Sequence, residues 1–286
     1  MSDKLSLPAP AKLNLFLHIT GRREDGYHLL QSIFQFLDYG DTLDFELRND
    51  GVVSRVNDVP GVPVEQDLVI RAAVALQKHC GSKKGAAITV HKRLPMGGGL
   101  GGGSSDAATT LLGLNQLWQC GCSLDELADI GLALGADVPV FVRGHSAWAE
   151  GVGERLTPVN PPELWFLVIS PGIHVDTGKI FTHPELTRDQ QILTIRDSVE
   201  TGMVNVCQPL VERYYPPVAE AIAWLSEYGE ARMTGTGACV FAPFPTREAA
   251  EKVLQQGLPA ALAATGQGFV ARGCNINPVY KYLNLR

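Results

Sequence analysis

The stretch from Pro95 to Asp106, P-M-G-G-G-L-G-G-G-S-S-D, constrains this chain most, because six of the seven residues from Gly97 to Gly103 are glycine. Without β-carbons, backbone N–H groups can approach a ligand closely and the chain can turn through φ > 0, both of which a phosphate cradle requires. Ahead of the run, Ala87 to His91 (A-I-T-V-H) reads as a strand. Behind it, Ser104, Ser105 and Asp106 are N-cap residue types, and Ala107, Ala108, Leu111, Leu112 and Leu114 continue at helical spacing. Strand, glycine loop and helix N-terminus in that order make an anion site.

Elimination narrows the kind of site. A Walker A loop needs a lysine before the Ser/Thr, and none precedes Ser104. Gly97, Gly99 and Gly102 satisfy G-x-G-x-x-G, but a dinucleotide fold wants an acidic residue at the end of the next strand, where Gln119 to Leu124 and a second helix stand instead. H-R-D and D-F-G, the marks of a protein kinase, do not occur. A flexible linker would not be flanked by a strand and a capped apolar helix.

The 286 residues suffice for two medium domains with real cores. A net charge of −6 argues against non-specific binding to nucleic acid or anionic membranes, so an anionic ligand needs a local basic pocket. Six scattered cysteines, with Cys120 and Cys122 separated by one residue and no histidine cluster near them, read as reduced thiols rather than a metal site. The N-terminal residues M-S-D-K-L-S-L-P-A-P show no apolar leader, and no run of 18 apolar residues follows; a cytoplasmic location and a bacterial rather than plastid origin are expected.

Along the chain, Ala11 to Ile19 alternates as a strand, placing Lys12 and Asn14 on one face about 7 Å apart. That face is either solvated or part of a site. Gly21 to His28 (G-R-R-E-D-G-Y-H) is either a ligand loop or a polar turn. Ser32 to Leu37 and Thr42 to Leu47 read as two strands joined by the tight turn D-Y-G-D. Asp67 caps a helix ending near Gly81, and Ser123 to Glu126 is a capping box. Lys92 and Arg93, just before the glycine loop, form either a basic turn or a counter-charge for phosphate. Asp137, between a helix stop and Pro139 in an apolar segment, is either a turn residue or a partnered functional carboxylate. The Gly/Pro-rich run Gly151 to Pro162 marks a domain boundary, giving domains 1-155 and 156-286. Strands and helices alternate beyond it, and Thr234 to Cys239 (T-G-T-G-A-C) forms a second glycine loop.

These residues together carry a resemblance that spans nearly the whole chain. Pro95 to Ala108 is similar to the second motif of the galactokinase, homoserine kinase, mevalonate kinase and phosphomevalonate kinase superfamily, with one extra glycine; Pro10 to Leu15 is similar to its first motif and Thr234 to Cys239 to its third. P-A-K-L-N-L, G-Y-H, L-P-M-G-G-G-L-G-G-G-S-S, G-A-D-V-P-V-F and T-G-T-G-A-C, in that order, resemble the branch that phosphorylates a cytidine diphosphate methylerythritol in the non-mevalonate isoprenoid route.

The resemblance implies an α+β fold of two domains, the N-terminal one like domain 2 of ribosomal protein S5 and the C-terminal one a ferredoxin-like sandwich, with the active site in the cleft between. It implies Lys12 and Asp137 as the catalytic pair. ATP, with Mg²⁺, would bind along Pro95, Met96, Gly97, Gly98, Gly99, Leu100, Gly101, Gly102, Gly103, Ser104 and Ser105, with Lys92 beside them. Tyr27, His28 and Phe181 would take the cytidine, Asn14 would stand near the transferred phosphoryl, and the Mg²⁺ ligands are unassigned. The partner is a small molecule, not nucleic acid or membrane, and the oligomeric state is open. Asp67 stands where the family often has an asparagine that helps hold adenine, and a carboxylate lacks that amide donor. The rival readings are another small-molecule kinase of the superfamily and a nucleotide-binding module without turnover.

Overall fold

In the computed structural model, residues 3–196 and 203–285 are described. Two long strands, β1 (Lys4–Arg22) and β2 (His28–Arg48), pair antiparallel from Lys4↔Glu46 to Arg22↔His28, with three irregularities in register. The expected turn at D-Y-G-D is absent: Asp38 to Asp41 lie inside β2, because Gly40 and Asp41 pair with Pro10 and Ala9 of β1 and the register irregularity between Pro10 and Lys12 takes up Asp38 and Tyr39. Gly40 makes that pairing possible. It sits opposite Pro10, and a Cβ there would lie 2.1 Å from the Ala9 carbonyl oxygen.

The polar stretch after β2 contains β3 (Val53–Arg55), which runs parallel to β4 (Gly85–His91). Between them, α1 (Leu68–Cys80) starts at Asp67, whose side chain accepts from the Val69 amide, and stops at Gly81 in the left-handed region, as expected. The helix after the glycine loop, α2 (Gly102–Trp118), begins earlier than Ser104 to Asp106 suggest. Gly101, at φ 73°, is its N-cap, and those three residues form its first turns. The helix is apolar almost all round because it is enclosed by β1, β2, α1, α3 (Leu124–Leu132) and α4 (Val138–Arg143). Ser123 and Glu126 complete the capping box of α3. The Gly/Pro-rich run proves to be mainly a hairpin, β5 (Ala147–Glu150) with β6 (Arg155–Pro158), which extends the first sheet at β2.

The second half is an antiparallel sheet in the order β10 (Gln267–Cys274), β7 (Trp165–Ser170), β9 (Val240–Phe244), β8 (Arg232–Met233). It is covered by helices Gln208–Tyr214, Pro216–Ser226 and Arg247–Leu254, and β10 joins it to the first sheet through Gly273↔Leu37 and Cys274↔Phe36. The last helix, Val279–Leu283, returns to the first half's core, where the buried Tyr280 hydroxyl donates to the Val142 carbonyl at 2.7 Å. Successive segments of β1 feed separate cores: Leu7 and Ala9 the first, Ala11, Leu13 and Leu15 the seam between the halves with Phe166 and Phe241, and Leu17 and Ile19 the second. No described helix is long and apolar enough to cross a membrane.

Because the obstacle at Gly40 is main chain, it cannot rotate aside. Gly40→Ala is expected to destabilise the fold by about 2 kcal/mol or more. Calorimetric melting would register this as a lower Tm, and an unchanged Tm would show that β1 and β2 separate freely at this point.

Candidate active site

Two cavities meet at the glycine loop. One, of about 420 Å³, runs from Val59, Val62, Asp67 and Leu68 to Lys92 and the loop. The other, of about 710 Å³, holds Lys12, Asn14, Asp137, Tyr27, His28 and Phe181. Gly99, Gly101 and Ser104 line both, so a ligand in either reaches the same wall.

The glycines serve packing within the chain as much as approach by a ligand. A Cβ on Gly97 would lie 2.3 Å from His174 Nδ1, one on Gly98 2.5 Å from Cys239 Sγ, and one on Gly99 2.3 Å from the Thr234 carbonyl oxygen. The loop is thus pressed against the second-half segment Thr234 to Cys239, and the Cys239 amide donates to the Gly98 carbonyl at 3.1 Å. On its other side, the Lys12 amide donates to the Leu100 carbonyl at 2.9 Å. The loop ends at the start of α2, where the first N–H groups of a helix lack intrahelical partners and the dipole favours an anion.

Lys12 is 3 % exposed, so its ammonium needs partners close by. Nζ lies 3.2 Å from Asp137 Oδ2, donates to Asn14 Oδ1 at 2.5 Å, and sits 5.0 Å from the centre of the Phe34 ring. Asp137 immediately precedes α4, yet its side chain makes no capping bond, which leaves the carboxylate for Lys12 and the cavity. Asn14 is fixed in turn, its Nδ2 donating to Ser32 Oγ at 2.9 Å and its amide to Thr234 Oγ1 at 2.9 Å. Two residues 125 positions apart in sequence therefore form one pair, with the second-half loop steadying it from behind.

At the far end of the larger cavity, His28 and Phe181 stack with ring centres 5.1 Å apart, and Tyr27 is exposed beside them. Burial, then the charges of Arg188 and Arg22, hold the His28 pKa below the usual histidine value. Arg188 Nε donates to His28 Nε2 at 3.1 Å, so the neutral ring carries its proton on Nδ1. Arg188 also binds the carbonyls of Phe181, His183 and Leu186, locking α5 (Thr177–Thr182) and the turn after it. Arg188 was not legible as a positioning residue from the chain; Thr234 stands at the head of the T-G-T-G-A-C loop, but its hydroxyl's bond to the Asn14 amide was not.

In the smaller cavity, Asp67 is spent on structure. Its Oδ2 lies 2.6 Å from Nη1 of the buried Arg55, whose Nη2 donates to the Val62 carbonyl. Lys92 is likewise occupied, bridging Asp41 and Asp106. Pro95 and Met96 line the same cavity, Met96 half-exposed, and Ser105 is fully buried in the first turn of α2. Among the described residues, no group of three or more His, Cys, Asp or Glu side chains could hold a metal ion.

Comparison with known proteins agrees with this layout. Residues 67–145 match the GHMP kinases N terminal domain and residues 185–263 the GHMP kinases C terminal domain. The chain is 56 % identical over 281 residues to the 4-diphosphocytidyl-2-C-methyl-D-erythritol kinase of Pseudomonas entomophila, covering 98 % of this chain and 96 % of that protein. It is also 56 % identical over 283 residues to the protein of the same name from Pseudomonas aeruginosa, covering 99 % of each. A crystal structure of a 4-(cytidine 5'-diphospho)-2C-methyl-D-erythritol kinase superposes with a TM-score of 0.80 at 31 % identity, over 94 % of this chain and 99 % of that one. A homoserine kinase from Cytophaga hutchinsonii, at 16 % identity and a TM-score of 0.65 over 97 % of each chain, shares the fold. With both halves of the superfamily's domain pair present and relatives matching end to end, the chain belongs to the GHMP kinases, in the 4-diphosphocytidyl-2-C-methyl-D-erythritol kinase family.

Proposed function

We propose that the chain transfers the γ-phosphoryl group of ATP to the 2-hydroxyl of 4-diphosphocytidyl-2-C-methyl-D-erythritol, a step in making isoprenoid precursors without mevalonate. The observation that carries this reading is the Lys12–Asp137 pair in a cavity that shares the wall Gly99, Gly101 and Ser104 with a second cavity. Phosphoryl transfer has a loose transition state, so alignment and charge stabilisation do most of the work. A donor held on one side of the glycine loop and an acceptor on the other would meet at the start of α2.

In this reading the triphosphate lies along Pro95 to Ser105 with Lys92 near it, and the base occupies the end lined by Val59, Val62 and Leu68. The Asp67 carboxylate, tied to Arg55, offers adenine no amide donor. Mg²⁺, bound with the nucleotide, would supply charge neutralisation at the phosphates. Asp137 accepts the hydroxyl proton. A carboxylate is a weak base toward an alcohol, so this transfer comes late and Asp137 acts largely by orienting the hydroxyl. Lys12 stands against the Asp137 carboxylate: at 3.2 Å and an effective dielectric near 20 their gross attraction is roughly 5 kcal/mol, much of it offset by desolvation. The same ammonium steadies the oxyanion as it develops, while Asn14 fixes the ammonium.

The cytosine ring fits between Tyr27 and the His28–Phe181 stack, with the His28 Nδ1–H available to a carbonyl. Residues 1–155 would then supply the loop, the lysine and the aspartate, and residues 156–286 would supply Phe181 and the backing loop at Thr234.

Asp137→Asn is expected to lower kcat by roughly 10²-fold or more with ATP affinity nearly unchanged. Steady-state assays with ATP and the cytidyl alcohol would measure it, and turnover close to wild type would remove Asp137 from the chemistry. Phe181→Ala, by contrast, is expected to raise KM for the cytidyl substrate about tenfold and leave KM for ATP in place. Equal activity on an alcohol lacking cytidine would instead favour a different acceptor.

A further inference from the structure

The charge cluster beneath the start of α2 is not absorbed by the mechanism above. Lys92 Nζ bridges Asp41 Oδ2 and Asp106 Oδ2, the latter at 2.9 Å. Asp41 is already saturated, since its Oδ1 accepts from the amides of Arg93 at 2.5 Å and Leu94 at 2.8 Å. Asp106 is not: it is 4 % exposed, and its Oδ1 is buried with no hydrogen-bond partner. The cluster also touches the phosphate end of the smaller cavity. Lys92 and Asp106 both line that cavity, and a Cβ on Gly102, the first residue of α2, would lie 3.5 Å from Lys92 Nζ and 3.6 Å from Asp41 Oδ2.

Two carboxylates and one ammonium carry a net charge of −1 where a polyanion is to bind. Drawing Lys92 toward phosphate would leave Asp106 facing Asp41 with no cation between them, which a buried site does not tolerate in the ionised form. A proton on the empty Oδ1 removes that conflict. We infer that Asp106 is a proton-coupled positioning residue: when the phosphates of the nucleotide engage Lys92, Asp106 takes one proton from solvent on Oδ1, and the site becomes neutral enough to hold the anion. The inference rests on the nucleotide reading of the smaller cavity.

The surroundings support an exchange confined to this carboxyl. Burial raises the Asp106 pKa to about 7, against the opposing pull of Lys92 and with a further push from Asp41. On Lys92 burial acts against the charge, but the two carboxylates outweigh it and its pKa is raised, so the ammonium stays charged. No other charged group acts on Asp106 among those of the described residues. Leu7 and Pro8, through which β1 touches α2, carry no charge; Lys12, which reaches Gly101 at the start of α2, is paired with Asp137; the buried residues of α1 and α4 are apolar; and Asp67 at the start of α1 is paired with Arg55.

The sign follows from linkage. A carboxyl titrating near 7 in the free site and higher in the complex takes up a proton on binding above pH 7, so affinity falls as pH rises through that window, by at most tenfold per unit. The full chain would be titrated with ADP in excess Mg²⁺ by calorimetry at pH 8, in two buffers of different ionisation heat, and the affinity followed from pH 7 to 8.5. The wild type is expected to take up close to one proton per ADP bound and to lose several-fold in affinity across the range. Asp106→Asn is expected to bind with near-zero uptake and a flat profile. Binding without buffer dependence, or uptake that persists in Asp106→Asn, overturns the inference. Absence of ADP binding by the folded wild type overturns the nucleotide reading itself. Should the variant not fold, difference infrared spectroscopy of the wild type decides: a protonated-carboxyl C=O band gained on ADP binding supports the exchange, and its absence defeats it.

Discussion

A lysine ammonium almost wholly withdrawn from water is the constraint on which the rest of this structure turns. Lys12 lies within the unbroken buried stretch of β1 from Ala9 to Ile19, and its charge is tolerable only because Asp137 and Asn14 reach it from two directions. Asp137 can do so because α4 begins directly after it with its side chain free of a capping bond. Asn14 can do so because Ser32 on β2 and Thr234 of the second half use up its remaining donors. Both halves of the chain therefore have to be in place before the ammonium is satisfied.

β1 transmits this requirement through the fold. Its apolar residues serve three cores in succession, so a shift of one residue in register would expose all three at once. The glycine loop is held by the same strand: the Lys12 amide binds the Leu100 carbonyl while the Lys12 side chain faces the acceptor cavity. One residue's main chain and side chain thus tie the glycine loop to the larger cavity. A loop free to move independently could not offer the alignment that a loose transition state demands.

How much of this was legible in the chain depends on whether the signal is local. Asp67, Gly81 and the Ser123–Glu126 box announce helix ends through their own backbone bonds, and all three stand where their residue types place them. The D-Y-G-D stretch misleads, because its turn composition is overridden by pairing to β1 across Gly40, a tertiary demand for a missing β-carbon. Ser104 to Asp106 mislead in a similar way. Gly101 supplies the left-handed start of α2, and the polar side chains after it are turned to other uses. Strand alternation placed Lys12 and Asn14 on one face but could not bring Asp137 to them; that approach depends on α3 and α4 packing against α2. Arg188 acts mostly on carbonyl groups far along the chain, which leaves no pattern to read, and the T-G-T-G-A-C motif marks Thr234 without showing that its hydroxyl binds the Asn14 amide.

The charge layout explains why an acidic chain can suit an anionic ligand. With a net charge of −6, long-range attraction is unavailable, so the nucleotide site has to create favourable potential over a few ångströms. Helix α2 supplies part of it through uncompensated N–H groups at its start, and these keep their orientation whatever the pH. Lys92 adds a cation beside it, held between two carboxylates. Holding a cation this way keeps a bare positive charge from destabilising the fold. Arg55 and Asp67, paired 2.6 Å apart, stand in contrast: each charge there has one matching partner, whereas at the Lys92 end of the same cavity two carboxylates share one ammonium.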